Sequence, residues 1–112
     1  MKSLRDLSDV LLLAQMQSEK ITCAQILTFI EVGLKEGQKM SYYVDKTGFN
    51  KSTVSRHLME IGLEVNENNV ANYKLLGWVK SVDHKKDGRA KQYFLTKKGK
   101  AMLRMFEALI NT

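Results

Sequence analysis

One group of side chains able to do chemistry in this chain gathers in the stretch Asn50 to Ile61, NKSTVSRHLMEI. Placed on a helix at about 100° per residue, Val54, Leu58 and Ile61 form one apolar stripe. Ser52 and Arg56 then stand at the back of the wheel, flanked by Thr53, Ser55, Met59 and Glu60. The outward face is thus made of short hydroxyls and one guanidinium. A helix that docks on a protein shows apolar anchors, whereas one that enters a major groove needs short hydrogen-bonding groups that let its backbone approach. Lys51, Ser52, Thr53, Ser55 and Arg56 fit the second description. Asn50 and Lys51 lie at the helix N-terminus, where free amides and the helix dipole favour an anionic phosphate. The plain alternative is an amphipathic helix with a solvated polar face.

A second chemical cluster lies downstream. His84, Lys85, Lys86, Arg89 and Lys91 crowd a polar, glycine-bearing segment between two strand-like runs, Trp78 to Val82 and Gln92 to Leu95. Long cationic side chains at a hairpin tip suit phosphates or the narrow, negative minor groove. Asp87 is expected to hold Arg89 or a backbone amide by a charge-assisted hydrogen bond. Catalytic chemistry is not expected. The two histidines, His57 and His84, are separated, and no carboxylate pair, nucleophile motif or phosphate loop occurs. Neither a metal nor a cofactor is expected on the same grounds. The lone cysteine, Cys23, excludes an internal disulfide and a Cys-rich metal cluster.

The elements that position these residues read mainly as helix. Ser3 is expected to cap a first helix running to about Gln17, with Asp6 as its capping-box partner. Thr22 opens a second, with Gln25 in the capping-box position, Cys23, Leu27, Ile30 and Leu34 along one face, and Gly37 placed to stop it. Gln38 to Met40 has room for a short strand. Ser41 to Thr47, the turn at Gly48 and the helix capped by Asn50 make a helix-turn-helix. Residues 63–76 read as an Asn/Glu-rich connection in which Asn69 can cap two helical turns before Gly77, either an ordinary loop or an extra partner surface. Thr96 caps the last helix. The first and last helices carry more apolar residues than one core-facing stripe requires, which suggests pairing across a twofold axis; the alternative for the first is a central core helix.

The 112 residues are expected to form one winged-helix domain, with 1–18 and 97–112 as dimerisation helices and 21–96 as the core, 63–76 inserted. An apolar content of 44% with 27% charged residues fits a globular protein in water. No apolar run is long enough for a membrane span, and the start MKSLRDLSDV lacks a signal-peptide core, so a cytoplasmic location is expected. The net charge of +6 is unevenly placed: residues 1–45 carry −1 and residues 46–112 carry +7. A basic excess confined to one region is the footprint of a polyanion partner, although a merely soluble basic surface gives the same number.

The run DHKKDGRAKQYFLTKKG, Asp83 to Gly99, resembles the wing and following helix of the MarR family of bacterial regulators, with Asp87-Gly88-Arg89 at the wing and Leu95-Thr96-Lys97-Lys98-Gly99 after it. TGFNKSTVSRHL resembles the recognition helix of the same family, and LLGWV the approach to its wing strand. The resemblance covers about residues 21–61 and 75–106. It implies a winged helix-turn-helix, mainly α with a small β-hairpin wing. It also implies a homodimer interlocked through its terminal helices, recognition helices 50–61 in successive major grooves of double-stranded DNA and wings 83–91 in the flanking minor grooves. Ser52, Thr53, Ser55 and Arg56 become expected base or phosphate contacts, Arg89 the wing contact and Asp87 its support. The chain departs from the family by its shortness and by residues 63–76. Cys23, near a helix N-terminus, invites an oxidant-sensing role of the kind some members of the family give a cysteine in their own context; a buried structural cysteine is the reading preferred here. The functional expectation is a dimeric repressor of transcription, any small-molecule effector being unknown. The competing expectation is a winged-helix adaptor that binds protein.

Overall fold

The computed structural model describes residues 2–62, 76–83 and 91–110. In chain order these form α1 (Lys2–Gln17), α2 (Cys23–Leu34), α3 (Met40–Thr47), α4 (Lys51–Glu60), β1 (Val79–Asp83), β2 (Lys91–Leu95) and α5 (Lys97–Ile110). The architecture is mainly helical, with a two-stranded antiparallel hairpin in which Val79 pairs with Leu95 and Asp83 with Lys91. Among the described residues no helix is long and apolar enough to cross a membrane. The segment containing Asn69 lies outside the described residues, as do His84, Lys85, Lys86, Asp87 and Arg89.

Local signals set most boundaries. Thr22 forms a reciprocal capping box with Gln25: the Gln25 amide donates to Thr22 Oγ1 at 3.1 Å, and the Thr22 amide donates to Gln25 Oε1 at 2.9 Å. Gly48 ends α3 with φ +77°, a left-handed conformation that glycine adopts without steric cost. Ser3, expected as the cap of α1, instead lies within its first turn, because the helix already includes Lys2. The expected short strand after Gly37 is a bridge: Gly37 donates its amide to Tyr93 O at 2.7 Å, and Tyr93 donates to Gln38 O at 3.1 Å.

The core is aromatic at its centre. Phe29 of α2 meets Trp78 at 4.7 Å and Phe106 of α5 edge-on at 5.8 Å between ring centroids, and all three are buried. This overturns the expected inner face of α2. Ile26, Phe29 and Val32 are buried with Thr28, whereas Cys23 is exposed and Leu34 is 70% exposed. Both stripes of α2 are apolar, and the one holding the large ring wins because it fills the space between α5 and Trp78. Cys23 is therefore not a buried structural residue.

The motif Leu95-Thr96-x-x-Gly99 has a packing explanation. The Thr96 hydroxyl donates to Gly77 O at 2.6 Å and accepts from the Gly99 amide at 3.0 Å, joining the start of α5 to the approach to β1. Gly99 lies so close to Trp78 that a Cβ there would overlap the Trp78 carbonyl oxygen. Leu95 is buried, and its amide donates to the Glu36 carboxylate at 2.7 Å.

The ends of the 63–75 segment are tied together. The Leu76 amide donates to Glu60 O at 3.3 Å and Gly77 to Gly62 O at 3.0 Å, while Trp78 donates to Ile61 O at 2.9 Å. The C-terminus of α4 therefore continues directly into β1 in space, despite the residues between them in sequence.

Candidate nucleic-acid interface

The outward face of α4 is set by what its inner face buries. Val54, Leu58 and the following Ile61 are buried, as the apolar stripe requires. His57 joins them, a residue that its type does not mark for the interior. Its ring meets Phe49 edge-on at 5.5 Å, and Nδ1 lies 3.1 Å from Thr28 Oγ1. The Thr28 hydroxyl donates to Ala24 O at 3.0 Å, which leaves its oxygen to accept; Nδ1 of His57 then carries the proton. Burial lowers the His57 pKa below its ordinary value, with Glu60 opposing and Arg56 adding to the shift. His57 is thus a neutral clamp between α4 and α2.

With that face fixed, Lys51, Ser52, Ser55 and Arg56 are exposed and Thr53 is half-buried. Asn50 caps the helix, its side-chain oxygen accepting from the Thr53 amide at 2.8 Å and from the Ser52 hydroxyl at 2.9 Å. Asn50 and Ser52 are engaged with each other, so the exposed polar groups of α4 with no such engagement are Lys51 and Ser55. Arg56 Nε stands 4.0 Å from Glu60 Oε1, and Glu60 in turn accepts from Gln25 Nε2 at 2.9 Å.

The hairpin is carried to the same side. The bridge from Gly37 and Gln38 to Tyr93 and the bond from Gln92 Nε2 to Gly37 O at 3.0 Å fix β2 against the segment that enters α3. Lys91, paired with Asp83 at the loop end of the hairpin, consequently lines the same open cleft of about 580 Å³ as Lys51 and Ser55. Lys39, Ser41 and Asp45 complete its polar wall, and Met40, Val44 and Tyr93 its apolar part. Sequence reasoning misses Lys39 and Ser41, whose only signal is their place at the start of a helix-turn-helix. Among the described residues no group of His, Cys, Asp or Glu is arranged to hold a metal ion.

No family model matches the chain, and no curated protein matches it. Solved structures do. Wild-type MarR from E. coli, in its apo form, superposes with a TM-score of 0.64 at 19% identity, over 99% of this chain and 69% of that one. PcaV from Streptomyces coelicolor gives 0.65 at 21%, over 96% and 71%. FabT from Streptococcus pneumoniae, in complex with DNA, gives 0.63 at 21%, over 82% and 56%. For a further MarR-family transcription regulator the covered share of the matched chain is 52%, so this chain spans between about half and somewhat over two thirds of these proteins. The shared feature is the fold: this chain has the winged-helix fold of MarR-family regulators.

Proposed function

We propose that this chain is a sequence-specific regulator of transcription that binds double-stranded DNA in the cytoplasm as a homodimer, with α4 in the major groove. One observation carries the reading. Lys51 and Ser55 from the helix-turn-helix and Lys91 from the hairpin belong to separate sequence motifs, yet they line one open cleft. A duplex is the partner that engages a groove-reading helix and a flanking cationic hairpin together. Structures of this fold in complex with DNA, including a MarR variant on operator DNA, support it.

In this reading Arg56 reads a base edge, Ser52, Thr53 and Ser55 contact bases or phosphates beside it, and Asn50 sets the helix start. Lys85, Lys86 and Arg89 in the hairpin connection, with Lys91, meet phosphates or the minor groove, Asp87 supporting Arg89. Leu4, Leu7, Leu12 and Met16 of α1 and Met105 and Ile110 of α5 are exposed, which supports a second copy as the cover of that surface. Repression follows from occlusion of a promoter.

The test is a salt-titrated binding assay on a site selected from random duplexes. Arg56→Ala should cost about 1–3 kcal/mol on that site and relax the preference at one base pair. Lys85→Ala and Lys86→Ala should weaken selected and random DNA alike. An equal loss on random DNA for Arg56→Ala would remove its base-reading role.

A further inference from the structure

We propose that the cleft between α3, α4 and β2 is the seat of a backbone phosphate of the bound duplex, with Lys39 as the third cation around it. The inference rests on the regulator reading and adds to it a contact residue and a ligand group. Lys39 is the N-cap of α3, is exposed, and makes no capping bond with its side chain. Lys51 opens α4 and Lys91 opens β2, so three separate elements deliver one lysine each to a common cleft.

Their charge is not neutralised by an ion pair among the described residues. The pairs found there are Arg5 with Asp9 and Arg56 with Glu60, and neither involves this cleft. Neighbouring Lys35 and Lys46 lie over the Tyr42 ring at 5.9 and 5.5 Å from its centroid, an engagement the structure does not give Lys39. Among the described residues Asp45 is the single acid in the cleft wall, against three cations. Like charges held around one concavity repel, and an anion seated among them converts that repulsion into charge-assisted hydrogen bonds. The hydroxyls of Ser41 and Ser55 add uncharged donors, and Met40, Val44 and Tyr93 give an apolar wall suited to the sugars on either side of a phosphate. The geometry is built in: Gly37 and Gln38 are hydrogen-bonded to Tyr93, which ties the backbone just before Lys39 to the strand that starts at Lys91. The cleft is open, and Lys51 and Ser55 on its wall are exposed residues of α4.

The experiment is fluorescence anisotropy on a random-sequence duplex across a salt series. Lys39→Ala should lower the slope of log affinity against log salt by about 0.9 for each phosphate that the variant leaves unneutralised, while Lys39→Arg keeps the wild-type slope. Lys100→Ala, on the exposed face of α5, should leave the slope unchanged. Asp45→Asn should tighten binding, and by more than Glu107→Gln. A wild-type slope for Lys39→Ala overturns the seat and leaves the regulator reading standing, whereas wild-type protein with no affinity for any duplex at low salt overturns both. Duplex affinity insensitive to Lys39→Ala, while inorganic phosphate still perturbs the Lys39, Lys51 and Lys91 amide resonances, would assign the cleft to a free anion and overturn the proposal.

Discussion

His57 spans the contact between α4 and α2 as a neutral ring, and this makes stability sensitive to acid. Its folded pKa lies below the ordinary histidine value of 6.5, so the unfolded chain takes up a proton that the folded chain refuses. Stability is therefore whole above about pH 6.5 and declines as pH falls toward the lowered folded pKa, by at most about 1.4 kcal/mol per pH unit. Urea denaturation at pH 7.5, 6.5 and 5.5 should show this trend, and His57→Gln should flatten it; a slope equal in the variant would assign it to other groups. Tyr43 acts at the other end of the scale. Burial pushes its pKa up to about 12 while its hydroxyl donates to Lys35 O at 2.7 Å, so stability it contributes below pH 10 is lost as pH rises toward 12. Gly99 illustrates a different constraint. Gly99→Ala sets a methyl against the backbone of Trp78 and should cost about 1–3 kcal/mol in urea denaturation. Residues like Asn50 and Thr22 are legible in the sequence because a cap is a local signal. The buried state of His57 is not, since it depends on Thr28 and Phe49, which only the tertiary fold brings to it.

At the scale of elements, the helices are legible from their caps and stops, and the hairpin from its alternation between Trp78 and Leu95. The exception is α2, where two apolar stripes compete and the sequence holds no rule for choosing between them; Trp78 and Phe106, distant in the chain, make the choice. The capping box at the start of α2 has a reach beyond its own helix, because Gln25 also donates to Glu60 beside Arg56. Thr22→Ala should cost about 1 kcal/mol of stability by thermal or chemical denaturation. Gln25→Ala should cost a comparable amount, and it also frees Glu60, so it should alter duplex selectivity where Thr22→Ala does not. Equal selectivity in the two variants would confine Gln25 to its capping role.

For the whole molecule, the apolar surface on α1 and α5 is legible as excess, yet only part of it is left over. Val10 and Ala14 of α1 and Met102 and Phe106 of α5 are buried within the chain, so the two helices first satisfy each other. The leftover set is what a second copy would cover. A Leu7→Lys, Leu12→Lys double variant should sediment as a monomer with unchanged helical content where the wild type sediments as a dimer; a monomeric wild type would end that part of the proposal. The residues between Gly62 and Leu76 depart from the family resemblance, and such a departure leaves room for a different placement of helix and hairpin. The hydrogen bonds from Leu76 to Glu60 and from Gly77 to Gly62 fasten both ends of that stretch at one point. A short Gly/Ser bridge in place of residues 64–75 should therefore preserve the melting transition and duplex binding. Because the flanking residues hold each other, the closure of α4 onto β1 does not rely on the length of chain between them, and that position is where a segment should be exchangeable.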